Sequence, residues 1–485
     1  MKLLSDILKN VKINQLLGNA DIVISSVAFD SRKVEHGSVF FAISGTRVDG
    51  HSFISEVIEK GAKAIVCEVL PIDIMQDVTY VKVNNSAETM GIMASNWFDN
   101  PSRKLKLVGI TGTNGKTTTA TLLFNLFQGL GYGVGLLSTI ANQINDDVIP
   151  ATHTTPDTID LNGLLKQMVE KGCEYCFMEV SSHAVVQQRV AGLHFAGGIF
   201  SNITLDHLDF HKTFDAYIKA KKGFFDMLPQ TAFALTNIDD KNGLVMLQNT
   251  KALKKTYSFQ HLADFKGKLI EAPLTGLHLE INGVEMWSRL VGRFNAYNVL
   301  SVYAAAVLLG EDALEVLRVL SGLKSIKGRF DYIIAENGTI AIVDYAHTPD
   351  ALENVIETIN DLRAAGQQLI TVVGCGGDRD ATKRPIMARI ATENSTRTIL
   401  TSDNPRTEDP DEIIRQMYEG VSKQYEKNVV VMPDRKEAIK LACILAGEDN
   451  IILVAGKGHE NYQEINGVKH HFDDKEVLAE YLLEK

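Results

Sequence analysis

Residues 109–118 read Gly-Ile-Thr-Gly-Thr-Asn-Gly-Lys-Thr-Thr, and this stretch decides the fold class. An apolar run at 106–110 leads into it, and Leu123, Phe127 and Leu130 follow it at helical spacing. The pattern predicts a buried strand, a tight turn and then a helix. Apolar runs alternate with amphipathic stretches along most of the chain. The sequence therefore predicts an α/β architecture with largely parallel sheets.

The turn at 109–118 has the composition of a phosphate-binding loop. Such a loop cradles phosphates with backbone amides, while its lysine meets the terminal phosphates and its hydroxyl residue binds Mg²⁺. The standard pattern G-x-x-x-x-G-K-[ST] needs glycine at position 110, where this chain has Ile110. Lys116, Thr117 and Thr118 nevertheless stand where the lysine and the cation ligand belong. We interpret the stretch as a phosphate loop and not as a glycine-rich turn with a chance lysine.

Two further strand ends carry candidate metal ligands. Glu179 ends a second apolar strand, and His207 lies between Asp206 and Asp209 just beyond another one. A carboxylate and an imidazole at these places suit a metal site. An ordinary strand end and a polar turn are the alternatives, but a phosphate loop in the same βα array favours metal binding.

Length and composition limit the class of protein. The chain has 485 residues, of which 45% are hydrophobic and 22% charged, which is typical of a globular protein and excludes a largely disordered chain. At roughly 150 residues per domain, this length predicts about three domains. Lys and Arg total 49 against 60 for Asp and Glu, so the net charge of −11 argues against broad nucleic-acid binding.

The chain shows no segment suited to export or to membrane insertion. Charges at Lys2, Asp6, Lys9 and Lys12 interrupt the apolar N-terminus, so we expect no signal peptide. The most apolar later stretch, 296–310, is too short to span a bilayer and predicts a buried helix. We therefore expect a cytoplasmic protein.

Two boundaries divide the chain. A polar stretch with a proline at 100–104 suits a linker, and a second boundary is expected near Arg329, after a helix that ends around Leu323. We predict an N-terminal α/β domain at 1–100, a central P-loop domain with a mostly parallel sheet at 101–328, and a C-terminal Rossmann-like domain at 329–485.

The third domain has four apolar runs, at 340–343, 369–373, 398–400 and 451–454, each followed by polar and glycine residues. The carboxyl ends of parallel strands lie at one edge of a sheet, and ligands of open α/β sheets bind there. We predict that these four clusters, far apart in sequence, converge on one site. They are Asp344-Tyr345-Ala346-His347, residues 374–379, Asp403-Asn404-Pro405-Arg406 and residues 456–460.

Seven motifs, in this order along the chain, resemble those of the Mur ligases, and the MurE type is the most similar. They are G-I-T-G-T-N-G-K-T-T, E-V-S-S-H, D-H-L-D, G-R-F-N-A-Y-N, D-Y-A-H-T-P, G-G-D-R-D-x-x-K-R-P and D-N-P-R. The resemblance extends from about Asp30 to Glu460, and the combination is far more specific than any one motif. It implies an ATP-dependent ligase that adds the third residue of the stem peptide of cell-wall peptidoglycan, a step on which cell shape and division depend.

The resemblance also implies a mechanism. ATP would phosphorylate the γ-carboxylate of the D-glutamate in UDP-N-acetylmuramoyl-L-alanyl-D-glutamate, and the incoming amine would attack the acyl phosphate. Lys116 and Mg²⁺, held by Thr117, Glu179 and His207, would neutralise the charge that builds up. Lys221 matches the family's carbamylated lysine (N6-carboxylysine), which supplies a carboxylate-like ligand to a second Mg²⁺. From the residues alone, Lys221 would be a surface lysine.

Further ATP contacts follow from the resemblance. Asn295 and Asn298 match positions near the adenine, although helix capping is the alternative role for such residues. Arg329, Asp344 and His347 would close over ATP from the third domain. The phosphate loop would supply Gly112, Thr113, Asn114, Gly115, Lys116, Thr117 and Thr118.

Two groups of residues are implied in holding the UDP-linked substrate. Phe29, Ser31, Thr46, Arg47 and Val48 resemble the segments that hold uridine diphosphate, which makes the first domain the UDP-sugar-binding domain. Ser31 matches well, whereas the loop at 46–48 is variable, so backbone contacts should carry over there more readily than side-chain contacts. The matches for the muramoyl dipeptide are Thr154, Thr155, Ser181, Gln187 and Arg189.

The choice of amino acid rests on Asp403-Asn404-Pro405-Arg406. In this family D-N-P-R accompanies meso-diaminopimelate, and lysine-adding relatives lack the arginine. The distal carboxylate of meso-diaminopimelate can accept a bidentate arginine fork, whereas Arg406 would repel the ammonium of lysine. Arg379, Gly456 and Glu460 match the remaining contacts, and Glu460 could pair with the distal ammonium.

Two alternatives stay open. The same ligase could add L-lysine, and a protein of another class, an ATP-switched binding protein, could use the same phosphate loop. Such a switch has no need of four site-forming clusters in a third domain, which favours the ligase. We expect ATP, Mg²⁺, the UDP-muramoyl dipeptide and meso-diaminopimelate as small-molecule ligands, no nucleic acid, a monomer, and closure of the C-terminal domain onto the central one.

Overall fold

The chain folds into three sheet-based units that follow one another along the sequence. The computed structural model describes residues 1–45, 48–151, 153–273 and 276–483, without the side chain of Asp209. In that part of the chain the main sheets have five, eleven and six strands in turn. Helices pack on these sheets, and the predicted α/β class with three domains is confirmed.

The first unit has a five-stranded sheet with helices on both faces. Its elements are β1 (Lys2–Leu3), α1 (Leu4–Ile7), β2 (Gln15–Leu17), β3 (Val23–Ile24), β4 (Val27–Ala28), β5 (Val39–Phe41), α2 (Ile54–Glu59), β6 (Ala64–Cys67), β7 (Thr79–Lys82) and α3 (Ser86–Trp97). The strand order is β2-β7-β6-β5-β4, with β2 antiparallel at one edge. Successive strand residues point to opposite faces, so Phe40 packs towards α2 and Phe41 towards α3.

The second unit contains the large sheet and most of the helices. Its first elements are β8 (Lys106–Thr111), α4 (Lys116–Gly129), β9 (Val134–Leu137), β10 (Ala141–Ile144), β11 (Asp147–Pro150), α5 (Thr158–Glu170), β12 (Tyr175–Glu179), α6 (Ser182–Val186) and β13 (Gly197–Phe200). The others are α7 (Leu208–His211), α8 (Phe214–Asp226), β14 (Phe233–Asn237), α9 (Gly243–Met246), β15 (Leu253–Ser258), β16 (Phe265–Glu271), β17 (Leu277–Ile281), β18 (Val284–Ser288), α10 (Arg293–Leu308) and α11 (Ala313–Gly322).

The central sheet is parallel in its middle and antiparallel at both edges. The order is β11-β10-β9-β12-β8-β13-β14-β15-β16-β17-β18, and β9 to β16 in that order are mutually parallel. The mostly parallel sheet is confirmed, but the hairpins at its edges were not predicted. One of them turns on Asn282-Gly283 with φ of 48° and 85°, a pair that permits the tight two-residue connection.

Helix α10 contains most of the apolar stretch that was predicted to form a buried helix, and that prediction is confirmed. Its residues are buried almost all the way round, because the helix lies between α4, α11 and the sheet. Within the described residues, no helix combines the length and the apolar character needed to cross a membrane.

The third unit carries a six-stranded sheet. Its elements are β19 (Asp331–Ile334), β20 (Ile340–Asp344), α12 (Pro349–Leu362), β21 (Leu369–Val373), α13 (Lys383–Asn394), β22 (Arg397–Leu400), α14 (Pro410–Tyr418), β23 (Val429–Val431), α15 (Arg435–Ala446), β24 (Ile451–Ala455), β25 (Tyr462–Ile465), β26 (Val468–His471) and α16 (Asp474–Leu482). The order is β19-β20-β24-β21-β22-β23, with only β19 antiparallel. The four predicted strands are β20, β21, β22 and β24, and their carboxyl ends lie at one edge, as expected.

A fully buried ion pair joins the last helix to this sheet. Arg435 donates to Asp474 through Nε at 2.7 Å and Nη2 at 2.8 Å, and neither side chain is exposed. The same guanidinium donates to the carbonyls of Ser402 and Ala455, at 3.3 and 3.1 Å. These two residues directly precede the polar clusters at the ends of β22 and β24. The pair therefore sets the spacing between those clusters.

Replacing Asp474 with alanine should destabilise the third unit by about 3–5 kcal/mol, because Arg435 would stay buried without its counter-charge. Denaturant unfolding of the purified variant measures the change. Glu480→Ala is the matched control, since Lys436 and Glu480 form an exposed pair between the same two helices. It should cost less than about 1 kcal/mol. Equal losses in the two variants would contradict the assignment.

Candidate active site

A cleft of about 400 Å³ lies between the carboxyl ends of the central and C-terminal sheets. It is lined by residues from loops after β8, β9, β12 and β13 on one side, and after β20, β21, β22 and β24 on the other. The predicted residues that it brings together are Thr113, Asn114, Gly115, Lys116, Thr117, Thr118, Thr154, Thr155, Glu179, Ser181, Arg189, His207, Lys221, Arg329, His347, Arg379, Asp403, Asn404, Arg406, Gly456 and Glu460.

The phosphate loop requires glycine at two positions. A Cβ on Gly112 would lie 1.9 Å from Oγ of Ser201, and one on Gly115, where φ is 85°, would lie 2.6 Å from Oδ1 of Asn298. Helix α4 begins at Lys116, directly after the loop. The amides of Thr113 and Asn114 donate to Asn202, whereas the first turn of α4 lines the cleft, where a helix N-terminus favours an anion.

Lys116 is folded back onto its own loop. Its Nζ donates to the carbonyls of Gly112, at 3.0 Å, and Thr113, at 2.8 Å. Burial lowers its pKa, while Glu179 and Asp206 act in the opposite direction. A lysine held in this way is placed at the loop and can exchange its two carbonyl partners for phosphate oxygens.

Glu179 forms the floor of the cleft beside the start of α4. It is fully buried at the end of β12 and accepts hydrogen bonds from Oγ1 of Thr117, at 2.8 Å, and from the backbone N–H of Thr139, at 2.7 Å. A buried carboxylate next to a threonine hydroxyl is a donor set of hard oxygens, which Mg²⁺ prefers. The two groups that were predicted as cation ligands are thus neighbours.

His207 lines the same cleft as Glu179, among other ionisable groups. It adopts φ of 55° at the start of α7, and its Nε2 is 3.3 Å from Oδ2 of Asp206. Its ring also lies against that of His183, with centroids 4.9 Å apart. Burial lowers the pKa of His207 to about 4, so the ring is neutral at physiological pH. Only a neutral imidazole can donate a lone pair to a metal.

Lys221 is buried and not a surface lysine, contrary to the reading from its residue type alone. Its Nζ donates to the carbonyl of Gly112 at 2.6 Å and lies 4.6 Å from the ring centre of Tyr217. Burial and the neighbouring Lys116 hold its pKa well below the ordinary value. Both effects favour the uncharged, nucleophilic amine over the ammonium.

Two contacts cross the cleft. Nη2 of Arg329 donates to Oγ1 of Thr117 at 3.1 Å, and its guanidinium lies 4.7 Å from the ring centre of Tyr345. Nδ2 of Asn114 donates to Oδ2 of Asp350 at 2.5 Å, at the N-terminal turn of α12. Residues of the third unit thus reach the phosphate loop directly.

Asp344 and His347 follow β20 but differ in their place. His347 lines the cleft, with Nδ1 at 2.8 Å from the carbonyl of Tyr345. Asp344 lies behind the lining and accepts from the backbone N–H of Phe330 at 2.6 Å, which holds the segment that carries Arg329. Burial raises the pKa of Asp344 from 3.8 to about 6.

Asn295 and Asn298 lie behind the phosphate loop and not in the cleft lining. Asn298 donates from Nδ2 to Oδ1 of Asn295 at 2.9 Å, and its own Oδ1 faces Gly115 and Thr119. Both side chains are buried near the start of α10. In this arrangement they support the loop from behind.

The four clusters of the third unit meet at the far end of the cleft. Nη1 of Arg406 donates to the carbonyl of Gly377 at 2.7 Å, which ties the loop after β22 to the loop after β21. Nδ2 of Asn404 donates to Oε2 of Glu460 at 2.7 Å, which ties it to the loop after β24. Arg379 is exposed at the rim, whereas Pro405 is buried and packs its carbonyl against Gly377.

The residues matched to the muramoyl dipeptide form a connected group on the central unit. Nη1 of Arg189 donates to the carbonyl of Thr155 at 2.8 Å, and Nε donates to Oε1 of Gln187 at 2.9 Å. Oγ1 of Thr155 donates to the carbonyl of Glu179, and Ser181 caps α6. Gln187 does not line the cleft and acts on it through Arg189.

The residues matched to uridine diphosphate lie on the first unit, outside the cleft. Phe29 and Val48 are partly exposed at its surface. Ser31 begins a short 3-10 helix, and its backbone carbonyl accepts a hydrogen bond from Nζ of Lys60. The predictions for Thr46 and Arg47 fall outside the described residues.

The sequence did not predict two residues of the cleft. Thr139 lines it and Asp350 touches it through Asn114. Thr139 follows a buried strand, so the rule that located Glu179 could have found it. Asp350 stands in a helix, and no pattern of the sequence indicates which way that helix faces. Asp206, Tyr345 and Lys383 also line the cleft; they belong to predicted motifs but were given no role of their own.

Three family models match successive parts of the chain. The model described as Mur ligase family, catalytic domain, matches residues 23–97. The Mur ligase middle domain matches 110–306, and the model described as Mur ligase, glutamate ligase domain, matches 328–458.

Curated relatives and a solved structure match over the full length. A UDP-N-acetylmuramoyl-L-alanyl-D-glutamate--2,6-diaminopimelate ligase of Cytophaga hutchinsonii is 59% identical over 480 residues, 99% of each chain. A ligase of the same name from Phocaeicola vulgatus is 55% identical over 477 residues, 98% of this chain and 99% of that one. A solved structure of a ligase of that name is 30% identical with a TM-score of 0.71, covering 100% of this chain and 99% of the other.

Asp344→Asn should stabilise the third unit at neutral pH. The raised pKa means that the folded state binds a proton more tightly than the unfolded state, so stability falls as the pH rises from 3.8 to about 6. Above that window the charged carboxylate costs up to about 3 kcal/mol, and asparagine removes this cost. Below about pH 4 the two proteins should be equally stable.

Denaturant unfolding of Asp344→Asn and the wild type at neutral and acidic pH measures this difference. Asp361→Asn, at an exposed position of α12, is the control and should change stability by less than about 0.5 kcal/mol at both pH values. If Asp344→Asn were less stable than the wild type at neutral pH, the prediction would be wrong, because neighbouring groups would then offset the cost of burying the charged carboxylate.

Proposed function

The chain belongs to the Mur ligase family, and on that basis we propose that it adds meso-2,6-diaminopimelate to UDP-N-acetylmuramoyl-L-alanyl-D-glutamate with ATP, in peptidoglycan precursor synthesis. The family assignment made from the motifs is confirmed, and the members of this family are ATP-dependent ligases that form amide bonds. The observation that carries the proposal is one cleft that joins a phosphate loop to the cluster Asp403-Asn404-Pro405-Arg406.

The phosphate loop is the proposed site of the ATP phosphates. Its amides and Lys116 would bind the β- and γ-phosphates, and Arg329 would reach the same place from the third unit, since it contacts Thr117 at 3.1 Å. Asn295 and Asn298 support the loop from behind, and their match to the adenine-binding positions stays a proposal. His347 lines the cleft beside these groups, and Asp344 holds the segment that carries Arg329.

Glu179, Thr117 and His207 are the proposed ligands of Mg²⁺. The test of fit is their chemistry: a buried carboxylate, a hydroxyl 2.8 Å from it and a neutral imidazole can each donate a lone pair. When bound, Mg²⁺ would neutralise phosphate charge and polarise the phosphoryl oxygens.

Lys221 is the proposed carbamate. Its neutral amine nitrogen would form a bond to the carbon of CO₂ and release a proton, which leaves a carboxylate-like group in place of a base. Lys116, whose charge depresses the pKa of Lys221, would then lie beside an anion. Before the modification Lys116 and Lys221 are two neighbouring amines, and a second positive charge there is unfavourable. Afterwards the cation of Lys116 would attract the carbamate of Lys221, which supports the modification and its use as a further metal ligand.

The chemical step follows from this arrangement. An oxygen of the D-glutamate γ-carboxylate would attack the γ-phosphorus and ADP would leave; the amine of the amino acid would attack the acyl carbon, and phosphate would leave with the electron pair. Lys116 would stabilise the negative charge on the γ-phosphate and on the γ-carboxylate during the transfer. Thr154, Thr155, Ser181, Gln187 and Arg189 are the proposed contacts of the muramoyl dipeptide.

The N-terminal unit at 1–100 is the proposed UDP-binding domain, the unit at 101–328 the ATP-binding domain, and that at 329–485 the amino-acid-binding domain. Phe29, Ser31, Thr46, Arg47 and Val48 are the proposed contacts of uridine diphosphate. The predictions of a cytoplasmic monomer that binds no nucleic acid, and of domain closure on ligand binding, stay predictions.

The far end of the cleft suits a zwitterionic head better than the ammonium of lysine. Two arginines, Arg379 and Arg406, line it together with the acids Asp403 and Glu460. Nε of Arg406 also lies 3.6 Å from Oε2 of Glu464, outside the lining. A second amino-acid head carries one carboxylate and one ammonium and matches both halves. Lysine has no distal carboxylate for the two arginines to bind, which favours meso-diaminopimelate.

Release of ADP by the purified protein tests the function. The protein receives ATP, Mg²⁺ and UDP-N-acetylmuramoyl-L-alanyl-D-glutamate, with meso-diaminopimelate, L-lysine or no amino acid in separate reactions. We expect turnover with meso-diaminopimelate alone and none with Lys116→Ala. Preference for lysine would refute the argument from Arg406, and ADP release without an amino acid would favour the ATP-switched binding protein.

Arg406→Ala should raise the KM for meso-diaminopimelate by roughly 30- to 1,000-fold, because a lost bidentate charged contact costs about 2 to 4 kcal/mol. The KM for ATP should change far less, since Arg406 lies at the other end of the cleft. Steady-state kinetics measure both constants. Arg397→Ala, at an exposed position of the same unit, is the matched control and should leave both unchanged.

A further inference from the structure

A lysine without solvent exposure lies beneath the proposed amino-acid site. Lys457 follows Gly456 at the end of β24, and its exposed fraction is 0%. It does not line the cleft. Its Nζ donates to Oδ1 of Asn404 at 3.2 Å, to Oε2 of Glu460 at 3.3 Å and to the carbonyl of Tyr462. Lysine is almost never fully buried unless its charge is paired, so this position needs an explanation.

Lys457 decides how the amide of Asn404 is turned. Oδ1 of Asn404 accepts from Nζ of Lys457 and from the backbone N–H of Glu464, at 2.9 Å. Both of these groups are donors, so the amide must present its oxygen to them and its Nδ2 to the opposite side. There Nδ2 donates to Oε2 of Glu460 at 2.7 Å. The other oxygen of Glu460, Oε1, is left with one long contact, 3.4 Å from the hydroxyl of Tyr345.

Lys457 also balances charge at this end of the cleft. Burial and the neighbouring Asp403 raise the pKa of Glu460, while Lys457 and Asn404 act to lower it. The charged or titratable groups around Glu460 are Asp403, Lys457, Tyr345, Tyr462 and Arg435. Arg435 is already paired with Asp474. Lys457 is the cation that pairs with Glu460, at 3.3 Å between Nζ and Oε2.

We propose that Lys457 is a positioning residue for the amino-acid substrate: through its contacts with Oδ1 of Asn404 and Oε2 of Glu460 it directs Oε1 of Glu460 towards the cleft, where that oxygen binds the distal ammonium of the diamino acid. This inference rests on the proposed function and deepens it. Oε1 of Glu460 would take the distal ammonium, and the arginines at the other side of the head would take the carboxylate. Lys457 itself touches no substrate.

The test is the pH dependence of the KM for meso-diaminopimelate in Lys457→Gln. Glutamine retains a donor for Asn404 but has no charge, so the pKa of Glu460 should rise. Because the protonated acid cannot pair with an ammonium, the variant should bind the substrate weakly at low pH and recover at higher pH. The ratio of its KM to that of the wild type should therefore fall as the pH rises, by no more than about tenfold per pH unit.

Four measurements separate this role from a structural one. The kcat and the KM for ATP should stay within about threefold of the wild type. Lys457→Arg, which retains the charge, should show a ratio that does not depend on pH. Lys436→Gln, an exposed lysine of the same unit, should behave as the wild type. With 2-aminopimelate, which has no distal ammonium, the pH dependence of the ratio should vanish.

Glu460→Gln keeps the inference testable if Lys457→Gln does not fold. If Lys457 holds Glu460 ionised in the wild type, the ratio of the KM values of Glu460→Gln and wild type should be constant from about pH 6.5 to 9. A ratio that grows with pH would show that Glu460 titrates in spite of Lys457, and would overturn the proposal.

The remaining outcomes are distinguishable. A pH-independent loss of affinity in Lys457→Gln, with an active wild type, would overturn the role of Lys457 and leave the proposed function standing. A wild type that does not turn over meso-diaminopimelate would overturn the proposed function and this inference with it.

Discussion

The carboxyl ends of parallel strands leave a sheet at one edge, and this constraint decides where the functional side chains lie. It gathers the loops after four strands of the central sheet on one wall of the cleft and those of four strands of the third sheet on the other. Arg329 and Asp350 then cross from the third unit to the phosphate loop. A site for phosphate and a site for an amino acid thus share one cavity, although they belong to different folding units.

A second constraint is that the charges inside this cavity must be compensated. The walls hold bases such as Lys116 and Lys221 next to acids such as Glu179 and Asp206. Burial lowers the pKa of each amine and so favours its neutral form. The C-terminal end solves the same problem with Lys457, which is buried outside the lining. The phosphate, carboxylate and ammonium groups of the substrates would provide counter-charges for buried groups that have no full partner in the protein alone.

The motifs predicted much of the site because they encode local geometry. Gly112 and Gly115 stand where a Cβ would collide with neighbouring side chains, so these positions require glycine and the sequence shows it. The strands of the third unit were predicted because parallel strands are buried on both faces and read as continuous apolar runs. The edge hairpins were missed, although Asn282-Gly283 was a usable signal, because their strands are half-exposed and carry no such run.

The sequence by itself determined the class of the fold, the phosphate loop, the order of the motifs and the residue types that meet a phosphate or a second amino-acid head. Only the tertiary structure decided which of them meet. It buried Lys221, whose residue type alone would place it at the surface, put Asp344 behind the cleft lining and placed Lys457 beneath Asn404 and Glu460. The physical reason is that burial and charge compensation depend on residues that are close in space but distant in the chain, and a local sequence pattern does not contain that information.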